Sequence, residues 1–166
     1  ISACLVGSEM CIRDSYIYNV EQDELRPALI RGKDFPRNIQ SLATDQKNLY
    51  IGMKDEVGCY SFATSDYQVI SHPEFFYIST LMLDSSESTL WIGNAHHLHR
   101  MNLNTKEIER VRDFYVVKSI AKDDNNLLIG TDNGLYVCDR QGTWHLISHD
   151  ARNSQSLSSN VVNMFF

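Results

Sequence analysis

A four-residue run occurs three times along this chain: Leu49-Tyr-Ile-Gly52, Leu90-Trp-Ile-Gly93 and Leu127-Leu-Ile-Gly130. An Asp stands shortly before each copy. These residues, Asp45, Asp84 and Asp123, are spaced 39 and 39 apart, and the glycines 41 and 37. A fixed period near forty marks a repeat array, whose units cannot bury their faces alone. Within the third unit, Val117-x-x-Ile120 predicts a first strand and Asp123 to Asn126 a turn. Leu127 to Thr131 is the second strand, and Asp132-Asn133-Gly134 a tight hairpin with Gly at positive φ. Leu135 to Asp139 and Trp144 to Ser148 complete the set.

The other units superpose with small shifts. Ile39-x-x-Leu42 and Ile78-x-x-Leu81 are their first strands; Cys59 to Phe62 and Leu98 to Met101 are their third. The fourth-strand run Tyr67-x-x-Ile70-Ser-His72 recurs as Trp144-x-x-Ile147-Ser-His149. This alignment places two extra residues in the second hairpin of the first unit and two in the Ser85-to-Thr89 turn of the second.

Four short strands per unit define a β-propeller blade, so the fold class is all-β, a partial propeller of about three and a half blades. Helical solenoids of this period need apolar spacing of 3.6 over longer segments. The blades are read as 35–75, 76–114 and 115–150. Residues 16–34 are the second half of an earlier blade, and 151–166 an inter-blade loop with the first strand of the next. Three and a half blades cannot close a ring, so the sequence reads as part of a larger propeller. Residues 1–15 match no repeat position; they resemble translated sequencing-adaptor sequence and are set aside as a non-native or disordered leader. Tyr50, Trp91 and Leu128 are expected to fill one inter-blade layer, and Ile51, Ile92 and Ile129 the other.

Composition narrows the function classes. A hydrophobic content of 43% supports a packed core. The net charge of −6, without a basic stripe, argues against nucleic acid as a partner. Apolar runs are strand-sized, too short to span a bilayer as helices. Cys59 and Cys138 read as buried free thiols, with no spacing that suggests zinc.

No nucleophile elbow, P-loop or dinucleotide fingerprint is present, and no cofactor is expected. A lyase or hydrolase remains the alternative, with His96 or His97 as nearest candidates. His97 and His99 fall on one side of a strand, as two metal ligands would. They occupy the places of Gly134 and Tyr136, however, and no Cys or carboxylate lies at a supporting spacing, so ordinary hairpin or surface histidines are expected and no metal. Asp123 to Asn126 lacks the spaced carboxylates of a calcium loop and reads as a turn.

In a propeller, the loops from strand four to the next strand one share a rim with those from strand two to three. That rim collects Phe35, Arg37, Lys54, Phe76, Tyr77, His96, His97, Tyr115, Asp132, Asn133, Arg152 and Asn153. Aromatic rings with Arg, Asn and Asp suit sugars, whose CH faces stack and whose hydroxyls need donors and acceptors. The competing reading has Phe76, Tyr77 and Tyr115 beginning first strands and packing between blades.

Leu127-Leu-Ile-Gly-Thr131, Asn133-Gly-Leu-Tyr136 and Asn153-Ser-Gln-Ser-Leu-Ser158 resemble the two-component regulator propeller repeat, over roughly residues 16 to 166. Asn94-Ala-His-His97 departs from its Gly-containing hairpin, and Gly52 to Gly58 reads as a lengthened one. The resemblance implies the periplasmic sensor portion of an inner-membrane hybrid histidine kinase, working as a homodimer. Its partners would be an oligosaccharide ligand, the remaining blades and the signalling domains. It implies no catalysis in this segment; kinase activity would lie elsewhere in the parent chain. A protein-interaction propeller is a third option.

Overall fold

The structure is a computed structural model that describes residues 3–6, 16–19, 22–27, 29–30, 33–34, 38–45, 47–123 and 125–163. Its first part holds β1 (Ala3–Val6), β2 (Tyr16–Asn19) and β3 (Glu24–Pro27) in one antiparallel sheet, followed by the small pair β4 (Leu29–Ile30) and β5 (Lys33–Asp34). Ala3–Val6 belongs to the segment set aside as a leader, most of which lies outside the described residues.

Three four-stranded antiparallel meanders follow, the blades of a partial propeller. The first blade is β6 (Ser41–Thr44), β7 (Asn48–Gly52), β8 (Glu56–Ser61) and β9 (Tyr67–Ser71). The second is β10 (Thr80–Asp84), β11 (Thr89–Gly93), β12 (His97–Asn102) and β13 (Ile108–Asp113). The third is β14 (Val117–Lys122), β15 (Leu127–Thr131), β16 (Gly134–Cys138) and β17 (Trp144–Ile147). The innermost strand β10 packs between β6 and β14. Among the described residues there is no helix, hence none long and apolar enough to cross a membrane.

Each repeated residue has a repeated task. The Asp residues close the first turn. The Asp45 carboxylate accepts the amides of Lys47 and Asn48, Asp84 those of Ser86 and Glu87, and Asp123 those of Asn125 and Asn126. Short carboxylates suit this, because they reproduce a backbone turn locally. The terminal glycines lie where the next first strand crosses. A Cβ on Gly93 would stand 2.5 Å from Val117 Cγ1, and one on Gly130 2.6 Å from the Val162 carbonyl oxygen.

The motif's two central residues point to opposite seams. Tyr50 meets Leu90 and Ile92 between the first and second blades, together with Phe75, Ile78 and Met101. Trp91 meets Leu127 and Ile129 between the second and third, with Leu98, Phe114 and Val117. Each seam therefore combines the aromatic position of one blade with the Ile of the next.

Several expectations need correction. Gly52 pairs with Val57, Gly93 with Leu98 and Gly130 with Leu135, so the three hairpins have equal length and the first unit carries no insertion there. Its third strand starts at Glu56, because Val57 and not Cys59 occupies the place of Leu98. Cys59 and Cys138 are free but only half-buried, with burial pushing both thiols up. The extra length of the Asp84–Thr89 turn is present; Ser88 sits there at φ 50°.

Candidate ligand-binding rim

The rim loops are laced to one another through their backbones. The Ile78 amide donates to the Lys54 carbonyl at 3.0 Å, and the Ala95 amide to Phe76 at 3.2 Å. On the next loop, Phe114 donates to His96 at 2.9 Å and Val116 to Ala95 at 3.1 Å. This brings Lys54, Phe76, Tyr77, His96, His97 and Tyr115 onto one connected surface. Phe76, Tyr77 and Tyr115 are 51%, 54% and 75% exposed, and each precedes its first strand. They do not pack between blades; Phe75 and Phe114, their buried neighbours, fill those seams. The Phe76 and His96 rings stack with centroids 5.8 Å apart and planes 3° from parallel, and Tyr77 lies 6.2 Å from Phe76.

The remaining expected rim residues are more scattered. Asp132 is held in an ion pair with Lys118 at 3.0 Å, and the Asn133 amide donates to Thr131 Oγ1. Arg152 and Asn153 are exposed and shape their own turn around Asp150. Phe35 and Arg37 lie outside the described residues.

Asn94, in the sequence only a departure from the Gly hairpin, organises the centre. It is fully buried; its Oδ1 accepts the amides of His96 and His97, and its Nδ2 donates to the Glu74 carbonyl at 2.9 Å. Neither His96 nor His97 is at positive φ, so the histidine hairpin carries no left-handed strain. Gly134, in the place of His97, has φ 125°. The left-handed residues fall instead at Tyr77 (φ 56°) and Val116 (φ 54°), in the inter-blade loops.

His99 is not a surface histidine. It is wholly buried in the first seam, with Nε2 3.2 Å from Glu74 Oε2 and its ring edge-on to His72, Phe75 and His97. Burial depresses its pKa, with the Glu74 hydrogen bond acting in the opposite direction. That same hydrogen bond, aided by Arg110 at 3.3 Å, holds the Glu74 carboxyl below the usual range. The expectation that no carboxylate supports the histidines fails because Glu74 and His72 arrive from the preceding blade. His97 is held apart by Asp113 at 3.0 Å.

No family model and no curated protein matches the chain. Solved structures do. The extracellular domain of BT4673 from B. thetaiotaomicron, described both as a one-component and as a hybrid two-component system, superposes with TM-scores of 0.78 and 0.77. Identity is 29% over 90% of the present chain. The chain is similar to the extracellular domain of a two-component system. The corresponding domain of BT3049, at 18% identity and TM-score 0.74 over 98% of the chain, shares the fold. The present chain spans 22% of the BT4673 chain and 24% of the BT3049 chain.

The three solved structures are extracellular domains of such signalling systems, and none of them is described as an enzyme. The resemblance to the two-component regulator propeller repeat thus rests on three-dimensional structure as well as on motifs.

Proposed function

We propose that this chain is part of the ligand-sensing propeller of a two-component receptor, lying on the periplasmic side of an inner membrane. The aromatic rim recognises a polysaccharide-derived oligosaccharide. The observation that supports it is the exposed set of Phe76, Tyr77, His96 and Tyr115 on loops tied together by backbone hydrogen bonds. Exposed rings on a rigid scaffold are a recognition feature, because stacking on a sugar's CH face needs a ring already held in place. Lys54 and Asn133 sit on hairpins of the same rim and supply hydrogen-bond donors. The remaining blades complete the rim, and a homodimeric receptor carries occupancy to the output domain.

Calorimetry of the receptor's extracellular part against a panel of oligosaccharides tests this reading. Phe76→Ala and Tyr115→Ala should each weaken the best ligand by about tenfold or more. Equal affinity in both variants would remove this rim from ligand recognition.

A further inference from the structure

The second and third blades fill the same position of their inner seams with different chemistry. Ile129 pairs with Tyr136 and Ile92 with His99, so Tyr136 and His99 are equivalent. In the second seam Tyr136 packs edge-on to Phe114 at 4.9 Å, and the Arg112 guanidinium lies 5.5 Å from its ring. That seam is closed by aromatic and cation–π contact. In the first seam Phe75 takes the part of Phe114, but the ring opposite is His99, and His72 and Glu74 complete the group.

We propose that His72, Glu74 and His99 form a binding site for a divalent transition-metal ion of the zinc class, between the first and second blades. Each residue offers one ligand atom, and these atoms all lie within 4.8 Å of one another. Two ligand atoms on a tetrahedral ion stand about 3.3 Å apart when each bond is about 2.0–2.1 Å. The 3.2 Å between His99 Nε2 and Glu74 Oε2 fits that spacing. His72 directly follows strand four, and its Nδ1 accepts the Glu74 amide at 3.3 Å, so its Nε2 is the nitrogen left to take the third side.

A second observation is independent of the distances. His99 is 0% exposed, yet its Nδ1 has no hydrogen-bond partner. An ion on Nε2 leaves this Nδ1 unpaired, so the orphan nitrogen marks an imidazole kept in the seam at a desolvation cost that an aromatic ring would avoid. Tyr136 shows that an aromatic ring suffices at this position. The donor set of two imidazoles and one carboxylate favours zinc-class ions over calcium or magnesium, which take oxygen ligands. Arg110 binds the other carboxylate oxygen, Oε1, and orients Glu74 as an outer-shell partner would. Asn94 fixes the Glu74 backbone. Three protein ligands leave a fourth position for water or an incoming donor.

The test is equilibrium dialysis of the demetallated extracellular part of the receptor against Zn²⁺, with Co²⁺ absorption as a readout of coordination. Stoichiometric binding with intense visible bands of tetrahedral Co²⁺ is expected. Glu74→Gln and His72→Ala, both outside the strands, remove direct ligands and should weaken binding by more than the roughly ten- to hundredfold that losing an outer-shell partner costs, while retaining the fold by circular dichroism. His145→Ala, on the third blade, should leave it unchanged. Absence of binding, or equal binding in the Glu74 and His72 variants, would overturn the site and leave the cluster as a hydrogen-bonded clasp.

Discussion

Asn94 shows how much can hang on one side chain. Three of its hydrogen bonds go to backbone groups of His96, His97 and Glu74, all from a fully buried position. Asn94→Ala leaves those groups short of partners and should cost about 2–3 kcal/mol, read by denaturant unfolding. Asn94→Asp keeps the two accepted bonds but sets a carboxylate oxygen against the Glu74 carbonyl in a fully buried site, and should cost at least as much. Gly93 is constrained by contact instead. A methyl there would meet Val117 Cγ1 at 2.5 Å and Thr80 Cγ2 at 2.7 Å, so Gly93→Ala should destabilise by about 1–3 kcal/mol. Lys106 is the converse case. It holds φ 64° in the turn between β12 and β13, where Gly142 serves the third blade at φ 81°. Lys106→Gly should be neutral to stabilising by up to about 1 kcal/mol, because relief of left-handed strain outweighs the added chain entropy. Thermal melts of the two variants should move in opposite directions.

Between elements, the two seams carry different polar fastenings, the histidine cluster in the first and a lysine clasp in the second. Far from the histidine cluster, Lys122 of β14 reaches across to Asp84 and Glu87 of the second blade. Burial opposes ionisation of Asp84, but hydrogen bonds from Lys122, Ser86 and the Glu87 amide outweigh it and hold the carboxyl below its ordinary value. A carboxyl depressed in the folded state binds fewer protons than in the unfolded chain. Its contribution is therefore present above the unfolded pKa near 4 and is lost as pH falls through the lower folded value. Stability should fall as the medium is acidified below about pH 4, and Asp84→Asn should flatten that limb while lowering stability at pH 7. Parallel acid limbs in the two proteins would show that the clasp contributes nothing. Packing carries more of the seam than charge does: Trp91→Ala removes the indole set against Leu127 and Ile129 and should cost about 3–5 kcal/mol.

At the scale of the molecule, blade order decides what stays exposed. Trp91 and Leu98 are buried because the third blade covers them. Leu128 and Leu135 hold the equivalent places one blade on and are only half-buried, while Leu146 and Ile147 are 47% and 45% exposed. An apolar blade face that expects a neighbour will find one. Residues 16–166 expressed alone should self-associate, as sedimentation velocity would read. A stable monomer with cooperative unfolding would mean that these blades depend less on neighbours than their faces indicate.

The period of 39 between Asp45, Asp84 and Asp123, with its Leu-x-Ile-Gly runs, was enough to reach four-stranded blades. Turn-closing carboxylates and contact glycines are local requirements that recur with each blade. The sequence also named the rim loops, because hairpin order puts them at one end of every blade. Register in the first blade is not legible in the sequence, since Cys59 and Leu98 look alike as strand residues and only the pairing of Gly52 with Val57 separates them. The exposure of Phe76, Tyr77 and Tyr115 could not be read either, because Phe75 and Phe114 beside them are equally apolar and one left-handed residue in each loop decides which ring turns inward. The recurrence of Ser-His at residues 71–72 and 148–149 was visible, but its meaning was not. His72 and Glu74 meet His99 only across a seam, and a contact between blades is set by how one sheet stacks on the next, which a single blade's sequence does not encode.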